Sequence, residues 1–117
     1  MPKYTTTVRV VLHKDDARTK EHSPDSEEYD TLHAEMHARG FRRYYETVKD
    51  QKLKLPPGEY LIYQEGTDVD DARKKVYSKS TAAATIATSA KRFSLFINCE
   101  GSLTSSNLEV ISKDPDA

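Results

Sequence analysis

A chain of 117 residues, 36% apolar and 32% charged with a formal net charge of −1, suits one domain with a modest core under a heavily charged surface. That balance excludes a global electrostatic drive towards nucleic acid, so any RNA contact must come from a local patch. The lone cysteine, Cys99, excludes an internal disulfide framework, and no apolar run approaches the ~20 residues of a membrane span. The opening residues lack the apolar stretch of a signal peptide, so the expectation is a cytoplasmic protein.

Residues 4–12 are rich in Thr and Val and predict a first strand, with Val8 and Val10 on one face. Residues 13–23 are polar and predict a solvated loop. A helix follows, with Ser23 as N-cap and Pro24 at the first helical position, or a start one turn further in from Asp25 and Glu28. Tyr29, Leu32 and Met36 form its buried stripe, and Gly40 stops it. Residues 41–48 are aromatic and β-branched and read as a second strand. Pro56-Pro57-Gly58 forces a turn, and residues 59–64 read as a third strand in a long-armed hairpin with the second. Thr67 and Asp68 open a second helix, with Val69, Ala72, Val76, Ala83 and Ala90 at helical spacing. Its Ala82-Ala83-Ala84 run predicts a close approach to the sheet. Residues 93–99 form a fourth strand with Phe93, Leu95 and Ile97 inward, and Cys99 reads as core. After a turn at Gly101, residues 108–111 offer a short fifth strand. Residues 1–112 make the domain and residues 113–117 a frayed tail.

The order strand, helix, strand, strand, helix, strand predicts an α+β ferredoxin-like sandwich: a four-stranded antiparallel sheet with two helices on one face. Such a fold leaves one sheet face uncovered, and that face or the short fifth strand would receive RNA or a second copy of the chain.

Three groups of side chains bear on chemistry. His33 and His37 share a helix face with Asp30, a spacing able to hold a transition metal. The zincin pattern is not met, and the group reads as a polar flank beside the buried stripe, so no metal is assigned. Asp15 and Asp16, after the first strand, suit a magnesium ion but read as a solvated loop. Arg39, Arg42, Arg43, Tyr44 and Tyr45, followed by Lys49, Lys52 and Lys54, make the most basic stretch, able to pair with phosphate and stack on bases. Neither a P-loop nor a nucleophile elbow occurs, and no cofactor is expected.

Arg9-Val10-Val11-Leu12-His13, Tyr29-Asp30-Thr31-Leu32-His33 with Met36, Gly40-Phe41, Leu55-Pro56 with Glu59-Tyr60, and the Ala-rich second helix together resemble the GhoS-like family over about residues 4 to 100. That resemblance implies a ferredoxin-like fold similar to the small CRISPR-associated nucleases. It also implies the antitoxin of a type V toxin–antitoxin system, an endoribonuclease that cleaves the toxin's messenger RNA. Activity in the family is linked to arginines on or near the first helix, and His33 stands where one would fall. Metal-free RNA cleavage uses the 2′-hydroxyl as nucleophile and needs a general base, a proton donor and a cation. His33 and His13 are the expected catalytic pair, with Arg39, Arg42, Arg43 and Tyr44 holding RNA.

Overall fold

The computed structural model describes residues 1–100 and 104–117. The first strand, β1 (Lys3–Leu12), is central. Its alternation sends Thr6, Val8, Val10 and Leu12 inward, each fully buried. On one side it pairs antiparallel with β4 (Glu59–Glu65), from Lys3 opposite Glu65 to Arg9 opposite Glu59. On the other it pairs antiparallel with β5 (Phe93–Cys99), from Thr6 opposite Cys99 to Leu12 opposite Phe93. The helices α1 (Glu27–Ala38) and α2 (Val69–Ala87) pack on each other, and α2 lies against all three strands. Tyr29, Leu32, Met36, Phe41, Tyr60, Ile62 and Val76 fill the space between these layers.

Local chemistry explains the helix ends. Helix α1 finishes in a Schellman motif: the Phe41 N–H donates to the Met36 carbonyl, and the Gly40 N–H to that of His37. Gly40 takes the left-handed conformation this requires, with φ +96°. Helix α2 starts with a reciprocal cap, in which Asp68 accepts from the Asp71 N–H at 2.8 Å and Asp71 from the Thr67 N–H at 2.9 Å. Ala83 and Ala84 are buried where α2 meets the core, as the small-residue run predicts, while Ala82 is exposed.

Several expectations are corrected. Helix α1 begins at Glu27 behind Ser26, not at Pro24, because the Ser26 N–H closes a turn on the Ser23 carbonyl first. The second strand shrinks to β2 (Tyr44–Glu46), since Thr47 accepts the N–H groups of Lys49 and Gln51 and turns the chain at Asp50, φ +60°. The chain returns as β3 (Lys52–Lys54), which pairs with β2 on one side and with β6 (Val110–Ile111) on the other. In place of one four-stranded sheet there are therefore two antiparallel three-stranded sheets, β4-β1-β5 and β2-β3-β6. The expected hairpin between the second strand and β4 survives as one bridge, Arg42 to Leu61, with both backbone hydrogen bonds at 2.8 Å.

The outward sheet face is partly covered. Tyr45, Thr104, Ser105, Ser106 and Leu108 wall a cavity there together with Thr7 and Leu61, and Leu61 is only 2% exposed although its neighbours in sequence point inward. Cys99 is half-buried at the end of β5, not core. The turn expected at Gly101 lies outside the described residues. Residues 113–117 are docked through ion pairs from Asp114 and Asp116 instead of fraying. Among the described residues no helix is long and apolar enough to cross a membrane.

Candidate functional site

A cavity of about 340 Å³ opens beside the first half of α1. Three parts of the chain build its wall. From β1 come Arg9, Val10 and Val11; from the loop before α1 come Glu21, His22, Pro24 and Asp25; from the other sheet's side come Arg43, Lys54 and Leu55. Tyr29 and His33 of α1 close it. The loop reaches this position because it folds back on β1: the His22 N–H donates to the Leu12 carbonyl at 2.9 Å and the Lys14 N–H to that of Lys20 at 2.7 Å.

His33 is held from beneath by Tyr60, with 2.6 Å between Nδ1 and the phenol oxygen. Burial, followed by the nearby Arg43 guanidinium, pushes His33 down from the ordinary 6.5 to about 4. Burial likewise raises the Tyr60 phenol well above its ordinary value. Both groups are therefore neutral at pH 7. A phenol is the better donor and an imidazole nitrogen the better acceptor, so the bond runs from the Tyr60 hydroxyl to Nδ1 and assigns the His33 proton to Nε2. In this state His33 offers an N–H and takes up no proton near neutral pH.

One consequence can be measured by acid titration. The unfolded chain protonates His33 near its ordinary 6.5, the folded chain only near 4. Between those values the unfolded state binds more protons, so this contribution is complete above about pH 6.5 and is lost as the pH falls towards 4. A shift of that size on a fully buried group corresponds to about 3 kcal/mol, and partial exposure reduces it to on the order of 1–2 kcal/mol. Urea unfolding of wild type and His33→Gln at pH 7 and pH 4.5 checks this: the wild type should lose more stability between the two pH values than the variant does. Asp114 acts in a separate, lower window. Burial favours its protonation, but the Asp116 N–H, His37 and Arg42 outweigh burial and hold it below the ordinary carboxylate value.

The other expected residues disperse. His13 does not line the cavity: it is 7% exposed, its N–H donates to the Arg92 carbonyl, and its Nδ1 has no partner among the described residues. His22 sits where His13 was expected, with Nδ1 3.7 Å from Glu28. Arg43 joins the cavity, but Asp116 grips it from Nε and Nη2 at 2.7 and 2.6 Å. Arg42 donates to the carbonyls of His37 and Phe41 and pairs with Asp114 at 3.3 Å. Arg39 pairs with Glu35 at 2.7 Å, one helical turn away. Tyr44 lies outside the cavity, with the Lys52 ammonium 5.8 Å from its ring centre.

The metal alternatives are separated in the same way. His33 faces Tyr60 and His37 faces Asp114 at 2.9 Å. Asp15 caps its own loop through Thr19 and Lys20, and Asp16 pairs with Arg92 at 2.9 Å. Among the described residues no three His, Cys, Asp or Glu side chains are grouped to hold a metal ion.

Sequence reasoning missed His22, Glu21, Asp25 and Lys54. The first three sit in a charged loop whose return onto β1 leaves no periodic signal. Lys54 belongs to a basic run, and nothing in that run marks it as a cavity residue. No protein-family model matches the chain, and no curated protein or solved structure matches it.

Proposed function

We propose that the chain is a GhoS-like, RNA-binding protein of ferredoxin-like descent, with the cavity beside α1 as the seat of one nucleotide of a single-stranded messenger RNA. The strand order β5-β1-β4, continued by the Arg42–Leu61 bridge, supports the ferredoxin-like reading, with the outer strand of such a sheet paired instead in the small sheet. The observation that carries the reading is the division of charge around the cavity. The strand side brings Arg9, Arg43 and Lys54, and the loop side brings Glu21 and Asp25. A phosphate meets the first set, and the amine of a base or a ribose hydroxyl meets the second. Lys54 has no ion pair among the described residues, so its charge is free for phosphate.

Binding is favoured over cleavage because His33 is a hydrogen-bond donor here and not a base of matched pKa. Titration of a fluorescent oligouridine at several salt concentrations tests the reading. Lys54→Ala should weaken binding about 5- to 10-fold at low salt and lower the salt slope by about 0.7. Absence of salt-dependent binding by the wild type would overturn it. Cut ends that survive EDTA and vanish in His22→Ala would move the function to metal-free cleavage, with His22 beside Glu28 as the proton-transfer group.

A second reading rests on the free part of the outward sheet face. Phe96 is 73% and Tyr63 55% exposed there, on strands flanking β1. Large aromatics so placed suit a second copy of the chain. Light scattering across a range of concentrations would separate monomer from dimer.

A further inference from the structure

We propose that residues 113–117 are a built-in competitor for RNA, with the carboxylates of Asp114 and Asp116 occupying places that two backbone phosphates take when RNA binds. The inference rests on the RNA-binding reading above and concerns regulation of the same site.

The contacts are those a phosphodiester would make. Asp114 receives the His37 Nε2 at 2.9 Å and the Arg42 Nε at 3.3 Å. Asp116 accepts a two-pronged bond from Arg43. Planar guanidinium forks hold phosphate with the same geometry as carboxylate. Two residues of chain span at most about 7 Å, the order of one nucleotide step along a single strand. A turn fixes that span, because the Asp116 N–H donates to the Asp114 carboxylate at 2.9 Å.

Charge, not apolar burial, holds the segment. The Asp114 and Asp116 side chains are 14% and 11% exposed, whereas Lys113, Pro115 and Ala117 are all exposed. Upstream, the short pairing of β6 with β3 keeps the segment close when its ion pairs open. A contact made of charge-assisted bonds alone is exchangeable for another polyanion at little apolar cost.

Arg43 links this contact to the cavity. While Asp116 grips Arg43, and with Arg9 3.5 Å from Glu59, Lys54 alone of the three cations on the cavity's strand side has no ion pair among the described residues. When a phosphate replaces Asp116, Arg43 belongs to the ligand and the cavity gains a working cation. Arg42, which lies outside the cavity, would then hold the adjoining phosphate and set the path of the strand across the small sheet.

The test uses the full chain carrying Asp114→Asn and Asp116→Asn together. Asparagine keeps the size and the turn acceptor but removes both charges. The variant should bind oligouridine at least 10-fold more tightly than the wild type, with a salt slope steeper by about 1 to 1.4. A synthetic peptide with the sequence of residues 109–117, added in trans, should compete with RNA on the variant more strongly than a peptide with both Asp residues replaced by Asn. Equal affinity and slope in variant and wild type, with the peptide inert, would overturn the competitor while Lys54→Ala still reports RNA binding. Failure of wild type and variant alike to bind would overturn the RNA reading and the competitor with it. Circular dichroism confirms that the variant is folded before either comparison is made.

Discussion

Tyr60→Ala is expected to cost about 3–5 kcal/mol, the range for removing a large aromatic from a packed interior. Tyr60 is 1% exposed and stands on β4 opposite Val8 of the central strand, within the main core cluster. Truncation would leave a ring-sized void between rigid neighbours and would remove the group beneath His33. Tyr60→Phe separates these effects: it keeps the ring and loses only the hydroxyl that faces His33 at 2.6 Å, for about 1–2 kcal/mol. Urea midpoints at constant slope read both values. A loss below about 1 kcal/mol in Tyr60→Ala would show that the site collapses and that the ring is not a support of the cavity.

Gly58→Ala should cost about 2–3 kcal/mol, and Gly40→Ala about 1 kcal/mol. Both glycines have positive φ, +82° and +96°, so both substitutions bear the left-handed penalty. They differ in what a methyl group meets. At Gly58 it would stand 2.9 Å from the Val10 carbonyl oxygen, whereas at Gly40 the nearest atom is the Ile62 Cδ1 at 3.5 Å. Val10 cannot retreat, because it is buried and paired with Leu95 on one side while its N–H donates to the Gly58 carbonyl on the other. Thermal unfolding of the two variants side by side checks the ranking. Equal losses would show that the turn at Gly58 can move away from β1.

The elements that could be read from sequence are those whose signals are local and periodic. Residues 93–99 alternate cleanly, and β5 has those bounds. Asp68 caps α2 through its own side chain, as an Asp before a helical pattern should. Tyr29, Leu32 and Met36 lie on one side of α1 and are all buried. The second strand failed for a physical reason. A run of aromatic and β-branched residues marks a pleated surface but not its length, and Thr47 spends its hydroxyl on a turn inside that run.

The candidate site was less legible because its parts meet through distant contacts. Nothing in the spacing of Arg43 foretells a partner at Asp116, and nothing in a polar loop foretells that His22 returns to the end of β1. His33 was visible as a polar residue next to a buried stripe. Its altered basicity follows from the burial around it and from Arg43, and neither can be read from its position on the helix.

The central position of β1 also fixes an order of events during synthesis. Its partners on either side begin at Glu59 and Phe93, so the strand made first is the one completed last. At about 5–20 residues per second, the interval between translating Leu12 and translating β5 is several seconds. Over that time the alternating Thr and Val edge of β1 lacks its second neighbour, leaving a row of backbone groups of the kind that invites pairing with other strands. Closure then depends on pairing Leu12 with Phe93 across most of the chain, a contact of long sequence separation. That separation places the domain between helical bundles, built from local contacts, and all-β domains, built from distant ones.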